Sequence, residues 1–215
     1  MKEFIVKAII FDMDGVLIDS QDLHFKAEIQ TVKQFGHKIT KKELIEYLGW
    51  NERAFWTEII KKYNINTTVE ELQRIERPIY EEILQKNLKE DKKLQKLLKN
   101  LKTKNLKLAV ASSSPRRWIK MVLVGLKIEE FFDIIVAGDE IKNSKPNPEI
   151  FLRAAKKLEI APQECIVIED APAGIKGANK AGMKSIALIT KINKNLDLSE
   201  AKFKIEKLEE IEKIL

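Results

Sequence analysis

The order of elements in this 215-residue chain predicts an α/β protein: a doubly wound parallel sheet with an α-helical domain inserted after its first strand. Two observations predict it. From Leu106 onward, short apolar β-rich runs alternate with helical patterns, the signature of a parallel sheet. Ahead of them, a first strand is followed by about 75 residues that read as helix throughout, far longer than an ordinary crossover. The expected division is residues 1–18 with 92–215 for the sheet domain and 19–91 for the helical insertion.

Phe4–Phe11, FIVKAIIF, is the first strand, a continuous apolar run of the kind buried on both faces. It ends at Asp12, and Gly15 marks a turn. Leu23, Ala27 and Ile29 begin an apolar helical stripe that Gly36 stops. Thr40 with Glu43, and Thr68 with Glu71, have capping-box spacing, opening Lys41–Leu48 and a longer helix that Pro78 should kink. Asn51 is placed to cap Glu52–Tyr63, and Asp91 to cap Lys92–Leu101. The period then changes. Leu106–Ala111, Ile134–Ala137, Cys165–Ile168 and Ser185–Ile189 read as strands. Helices are expected from Pro115, over Pro148–Leu158, from Pro172 to Ala181, and over Ile205–Leu215. Ser114 is expected to cap the helix that begins at Pro115.

Composition narrows the function classes. A hydrophobic share of 44% supports a core, yet no apolar run reaches the roughly 18 residues of a membrane span, and the short N-terminus lacks the build of a signal peptide. A cytoplasmic protein without membrane partners is the expectation. The net charge of +6 comes from scattered lysine pairs interleaved with glutamate, a solvated helix surface and not a nucleic-acid face. Cys165 is the only cysteine and leads an apolar run, so it reads as a core residue; with two histidines in the chain, structural zinc is excluded.

Ligands of an open parallel sheet sit at the carboxyl ends of its strands. There the sequence puts Asp12 and Asp14 after the first strand, Ser112 after the second, Lys145 ahead of Asn147, and Glu169-Asp170 after Cys165–Ile168. Four carboxylates on one rim repel one another, and a divalent cation relieves the repulsion. Hard oxygen donors without thiolates favour Mg²⁺. With Lys145 and the Ser112 hydroxyl, the set makes a cradle for a phosphoryl group, in which Asp12 can act as nucleophile and Asp14 can return a proton to the leaving oxygen.

The stretches FDMDGVLIDSQ, SKPNPEIF and IEDAPAGIKGA, with Ser112 between the first two, resemble the four motifs of the haloacid dehalogenase superfamily, and within it the β-phosphoglucomutase-like phosphatases. The resemblance spans nearly the whole chain and implies a Rossmann-like core with the insertion as a helical cap. It implies Asp12 as nucleophile and Asp14 as general acid/base. Ser112, Ser113 and Lys145 would hold the phosphate. Asp12, Asp14 through its carbonyl, and Asp170 would bind Mg²⁺, with Glu169 in or beside that shell.

In the insertion, His24 matches a histidine of the sugar-phosphate branch, and Trp50 and Arg53 lie in the loop expected to meet substrate. Family mutases carry cations near here, where this chain aligns Glu52 and Glu76, with Arg53 and Arg77 one residue further on. The reading is a monomeric phosphatase of a small phosphorylated metabolite, a sugar phosphate above all. The alternatives are a β-phosphoglucomutase interconverting β-glucose 1-phosphate and glucose 6-phosphate, and a non-catalytic binding or regulatory protein on the same scaffold. Trp56 and Trp118 read as packing residues.

Overall fold

The computed structural model describes residues 5–47 and 52–215. Two compact units emerge: Met1–Asp19 with Lys89–Leu215, and Ser20–Leu88. In chain order, β1 (Ala8–Phe11) is followed by the helical unit: α1 (Gln21–Gln34), α2 (Lys41–Ile45), α3 (Glu52–Tyr63) and α4 (Val69–Asn87). Then come α5 (Lys92–Thr103), β2 (Lys107–Ser112), α6 (Arg116–Gly125), β3 (Ile134–Ala137) and α7 (Glu149–Leu158). The chain closes with β4 (Cys165–Glu169), α8 (Pro172–Lys180), β5 (Lys184–Leu188) and β6 (Phe203–Ile205).

All six strands are parallel, in the order β3-β2-β1-β4-β5-β6. The order reverses at β1, whose neighbours are β2 and β4, so the carboxyl ends of β1 and β4 flank the topological switch point. Phe11 stands level with Val110 on one side and Ile168 on the other. The central strands are buried along their length, which explains their unbroken apolar sequence. Ala8, Ile10, Ala109, Ala111 and Val167 pack with Phe151, Ala154 and Ala155 of α7 and Ala178 of α8. Cys165 belongs to this core, and burial, followed by the Glu164 charge, pushes its thiol up to about 11, so it is inert.

The helical unit has its own core, in which Phe25, Val32, Phe55, Trp56, Ile59 and Leu72 meet. The Thr40–Glu43 capping box forms in both directions. At α4 only half of the expected box forms: the Thr68 hydroxyl accepts from the Glu71 amide, while the Glu71 carboxylate takes both its bonds from Arg74. Helix α4 runs unbroken through Pro78 to Asn87. Asp91 caps α5, accepting from the amides of Lys93 and Leu94. Phe4, Leu48 and Asn51 lie outside the described residues.

Two expectations need correction. Ile205–Leu215 is not an α-helix: Phe203–Ile205 adds a sixth strand beside β5, and Leu208–Lys213 is a 3₁₀ segment. The sheet edge offered by Leu188 claims Ile205 for the ladder, and the ten residues left after it are too few to sustain a helix on their own. Ser114 does not cap α6, whose N-cap is Pro115. The Arg116 amide instead faces the Asp139 carboxylate at 3.3 and 3.4 Å. Among the described residues, no helix is long and apolar enough to cross a membrane.

Candidate active site

Asp12 leaves the end of β1 with its amide still tied to the Ile168 carbonyl at 3.0 Å, so its side chain projects at the switch point. The residue is 7% exposed. Its Oδ1 accepts a 2.7 Å hydrogen bond from Lys145 Nζ. The same ammonium donates to Glu169 Oε1 at 2.6 Å and to the Ala111 carbonyl at 3.3 Å, and lies 5.2 Å from the Phe151 ring centroid. Burial works against the charge on Lys145, but Asp12 and Glu169 outweigh it and hold its pKa above the usual lysine value.

Glu169, 1% exposed, is committed on both oxygens. While Oε1 meets Lys145, Oε2 accepts from the amides of Asp170 and Ala171, each at 3.1 Å. One oxygen each from Asp12, Glu169 and Asp170 lie within 4.8 Å of one another. Burial first, and then the Glu169 charge, push the Asp170 carboxyl up to about 7. Burial likewise raises Asp12; Lys145 opposes the shift, and Glu169, Asp14 and Asp170 reinforce it. Carboxylates so crowded are stabilised by a hard divalent cation, and the donor set fits one.

Asp14 sits in a tight loop in which the amides of Val16, Leu17 and Ile18 converge on the Met13 carbonyl. Its Oδ2 accepts from Ser114 Oγ at 2.8 Å, with Ser112 Oγ at 3.5 Å. The Ser112 hydroxyl also accepts from the Ser114 amide at 3.1 Å. Ser114 therefore turns its hydroxyl toward Asp14, and the Arg116 amide at the start of α6 meets Asp139 instead. Ser113 is exposed beside this pair, and its backbone carbonyl presses on Gly138, where a Cβ would come within 1.9 Å.

Two further glycines make room for the acids. At Gly15, with φ +75°, a Cβ would stand 2.0 Å from Asp170 Oδ2. At Gly174, in the first turn of α8, a Cβ would stand 1.9 Å from the Glu169 carboxyl. Asp12, Asp14, Ser112, Lys145, Glu169 and Asp170 thus gather on one rim, with Ser113 at its border. The parts played by Ser114 and Gly138 escape a sequence reading, because each partner is remote in the chain.

The comparisons agree with this geometry. Residues 9–188 match the family model described as haloacid dehalogenase-like hydrolase. The chain belongs to the haloacid dehalogenase-like hydrolases. Across 91% of both chains it is 32% identical to a phosphorylated carbohydrates phosphatase of Thermotoga maritima. It is also 32% identical to the beta-phosphoglucomutase of Bacillus subtilis, over 85% of this chain and 83% of that one. The crystal structure of a beta-phosphoglucomutase from Clostridium difficile superposes with a TM-score of 0.77 at 29% identity, covering 97% of this chain and 96% of that chain. The family's hydrolase fold, with its parallel core and helical cap, is therefore the fold of this enzyme.

The remaining candidates lie in the helical unit. His24 is half-buried and stacked on Tyr80, with ring centroids 4.1 Å apart and planes 12° from parallel. Glu28 and Glu76 share its neighbourhood. Burial raises both carboxyls to about 7, with the His24 charge opposing and Glu52 adding to the rise. Arg53 is exposed and bonded to Glu70 at 2.7 Å. Trp50 lies outside the described residues.

Proposed function

We propose that this hydrolase is a Mg²⁺-dependent phosphatase of small phosphorylated metabolites, sugar phosphates above all, working through an aspartyl-phosphate at Asp12. The observation that carries the reading is the buried Asp12 carboxylate at the switch point, bonded to Lys145 and standing among Glu169 and Asp170. The relative named for its action on phosphorylated carbohydrates supports the substrate class.

The chemistry is divided among the chain's own residues. An Asp12 oxygen attacks phosphorus as the bond from phosphorus to the leaving oxygen breaks, and Asp14 gives that oxygen its proton. In the second half Asp14 takes a proton from water, the water oxygen joins phosphorus, and Asp12 leaves as a carboxylate. Lys145 and the Ser112 hydroxyl balance the charge of the phosphoryl oxygens, with Ser113 beside them. Ser114 steadies Asp14 between its two proton transfers. Asp12, Asp170 and the Asp14 carbonyl would hold Mg²⁺, which when bound neutralises carboxylate and phosphoryl charge. Glu169, with both oxygens committed, serves mainly to orient Lys145.

A second reading, return of the phosphoryl group to the sugar as in a mutase, is favoured by the identity to beta-phosphoglucomutase. Against it stands the charge of the helical unit. A bisphosphorylated intermediate needs a cation for its second phosphate. Here Arg53 is paired with Glu70, and the buried group around His24 contributes Glu28 and Glu76. The two outcomes separate when β-glucose 1-phosphate is supplied with a trace of glucose 1,6-bisphosphate. The phosphatase reading predicts free phosphate as the main product; rapid glucose 6-phosphate with little free phosphate would overturn it. A panel of phosphate monoesters that yields no free phosphate at all would point to a non-catalytic protein.

A further inference from the structure

We infer that Asn193 is a positioning residue for the metal site: its buried amide locks the peptide that carries Asp170. The inference rests on the proposed role of Asp170 as a Mg²⁺ ligand. Asn193 lies in the loop after β5, remote in sequence from every motif of the site, yet it is 2% exposed. Its Nδ2 donates to the Asp170 carbonyl at 2.8 Å and to the Leu188 carbonyl at 2.9 Å. Its Oδ1 accepts from the Thr190 amide at 2.7 Å, and its own amide donates to Thr190 Oγ1 at 3.3 Å. A primary amide offers two donors and one carbonyl acceptor, and here all of them are used.

What Asn193 holds is more specific than a loop. The Asp170 carbonyl and the Ala171 amide belong to one peptide unit. Asn193 binds that unit at its oxygen, and Glu169 Oε2 binds it at its nitrogen. A peptide plane tied at both ends cannot rotate about its flanking dihedrals, and those dihedrals set where the Asp170 side chain points. On the carboxylate side Gly15 leaves no slack, since even a Cβ there would overlap Asp170 Oδ2. The carboxylate is thereby fixed before a cation arrives, and that preorganisation is what outer contacts contribute to metal affinity.

The test uses the full chain and Mn²⁺ as the probe, with bound and free ion measured by electron paramagnetic resonance. Asn193→Ala should weaken Mn²⁺ binding about tenfold, the lower end for lost outer contacts. It should raise the Mg²⁺ needed for half-maximal phosphate release by the same factor, leaving turnover at saturating Mg²⁺ within about twofold. Thr190→Val is the control. It loosens the same turn without touching the bond to Asp170, so it should lower thermal stability and leave Mn²⁺ affinity unchanged. If Asn193→Ala does not fold, Asn193→Ser takes its place with the same expectation. Equal Mn²⁺ affinity in the wild type and the Asn193 variant sinks the inference alone, as does an equal loss in Thr190→Val. A wild type that binds no Mn²⁺ sinks the metal reading and the inference with it.

Discussion

Replacing Glu76 by glutamine should make the protein more resistant to alkaline pH. Glu76 stands on α4, 5% exposed, with burial as the main reason its carboxyl is pushed up from the usual 4.5 to about 7. A carboxyl whose folded-state pKa is raised binds its proton more tightly in the native state. Its contribution is complete below about pH 4.5, fades as pH rises, and is lost above about pH 7. The difference between 4.5 and about 7 corresponds to roughly 3 kcal/mol at 1.36 kcal/mol per pH unit. Glutamine has nearly the shape of the neutral acid and never ionises. The variant should therefore match the wild type at pH 4 and exceed it by up to about 3 kcal/mol at pH 8.5. Urea unfolding followed by circular dichroism at the two pH values reads the effect. Identical pH dependence in variant and wild type would refute the reasoning, since it would mean that Glu76 ionises without cost.

Gly174→Ala should push the Glu169 carboxyl away and free Lys145 from it, lowering turnover at least tenfold while costing about 1–3 kcal/mol of stability, measurable by phosphate release and thermal melting. Arg53→Ala should leave phosphate release within about twofold of wild type, because its exposed pair with Glu70 is worth at most about 1 kcal/mol; a large loss would mean that Arg53 grips substrate. Chelation with EDTA should abolish phosphate release and added Mg²⁺ should restore it, whereas full activity in EDTA would exclude a metal role for Asp170.

The sequence reveals what is local and periodic. β1, β2 and β4 announce themselves as apolar runs, and the acids Asp12 and Glu169 stand where those runs end, so the rim of the site can be read before any coordinates. β6 could not be read this way. Phe203-Lys204-Ile205 is three residues long with a lysine at its centre, and only the open edge of β5 turns it into a strand. Glu71 has the spacing of a capping box, yet Arg74 one turn on competes for its carboxylate. The supporting contacts of the site are hidden for a related reason. Ser114 reads as a helix cap until its hydroxyl is seen on Asp14, and Asn193 reads as one polar residue in a lysine-rich loop until it is seen on the Asp170 carbonyl. Pairings between distant residues leave no periodicity behind, so folding alone exposes them.

The central claim, that Asp12 carries the phosphoryl group, is tested most directly by catching the intermediate. An acid quench during turnover of a phosphate monoester, followed by borohydride reduction, converts an aspartyl-phosphate into homoserine, which peptide mass spectrometry can place. The account predicts homoserine at position 12 in the wild type with Mg²⁺, and neither homoserine nor phosphate release in Asp12→Asn. Phosphate release that persists in Asp12→Asn, with Asp12 unmodified in the quenched wild type, would contradict it.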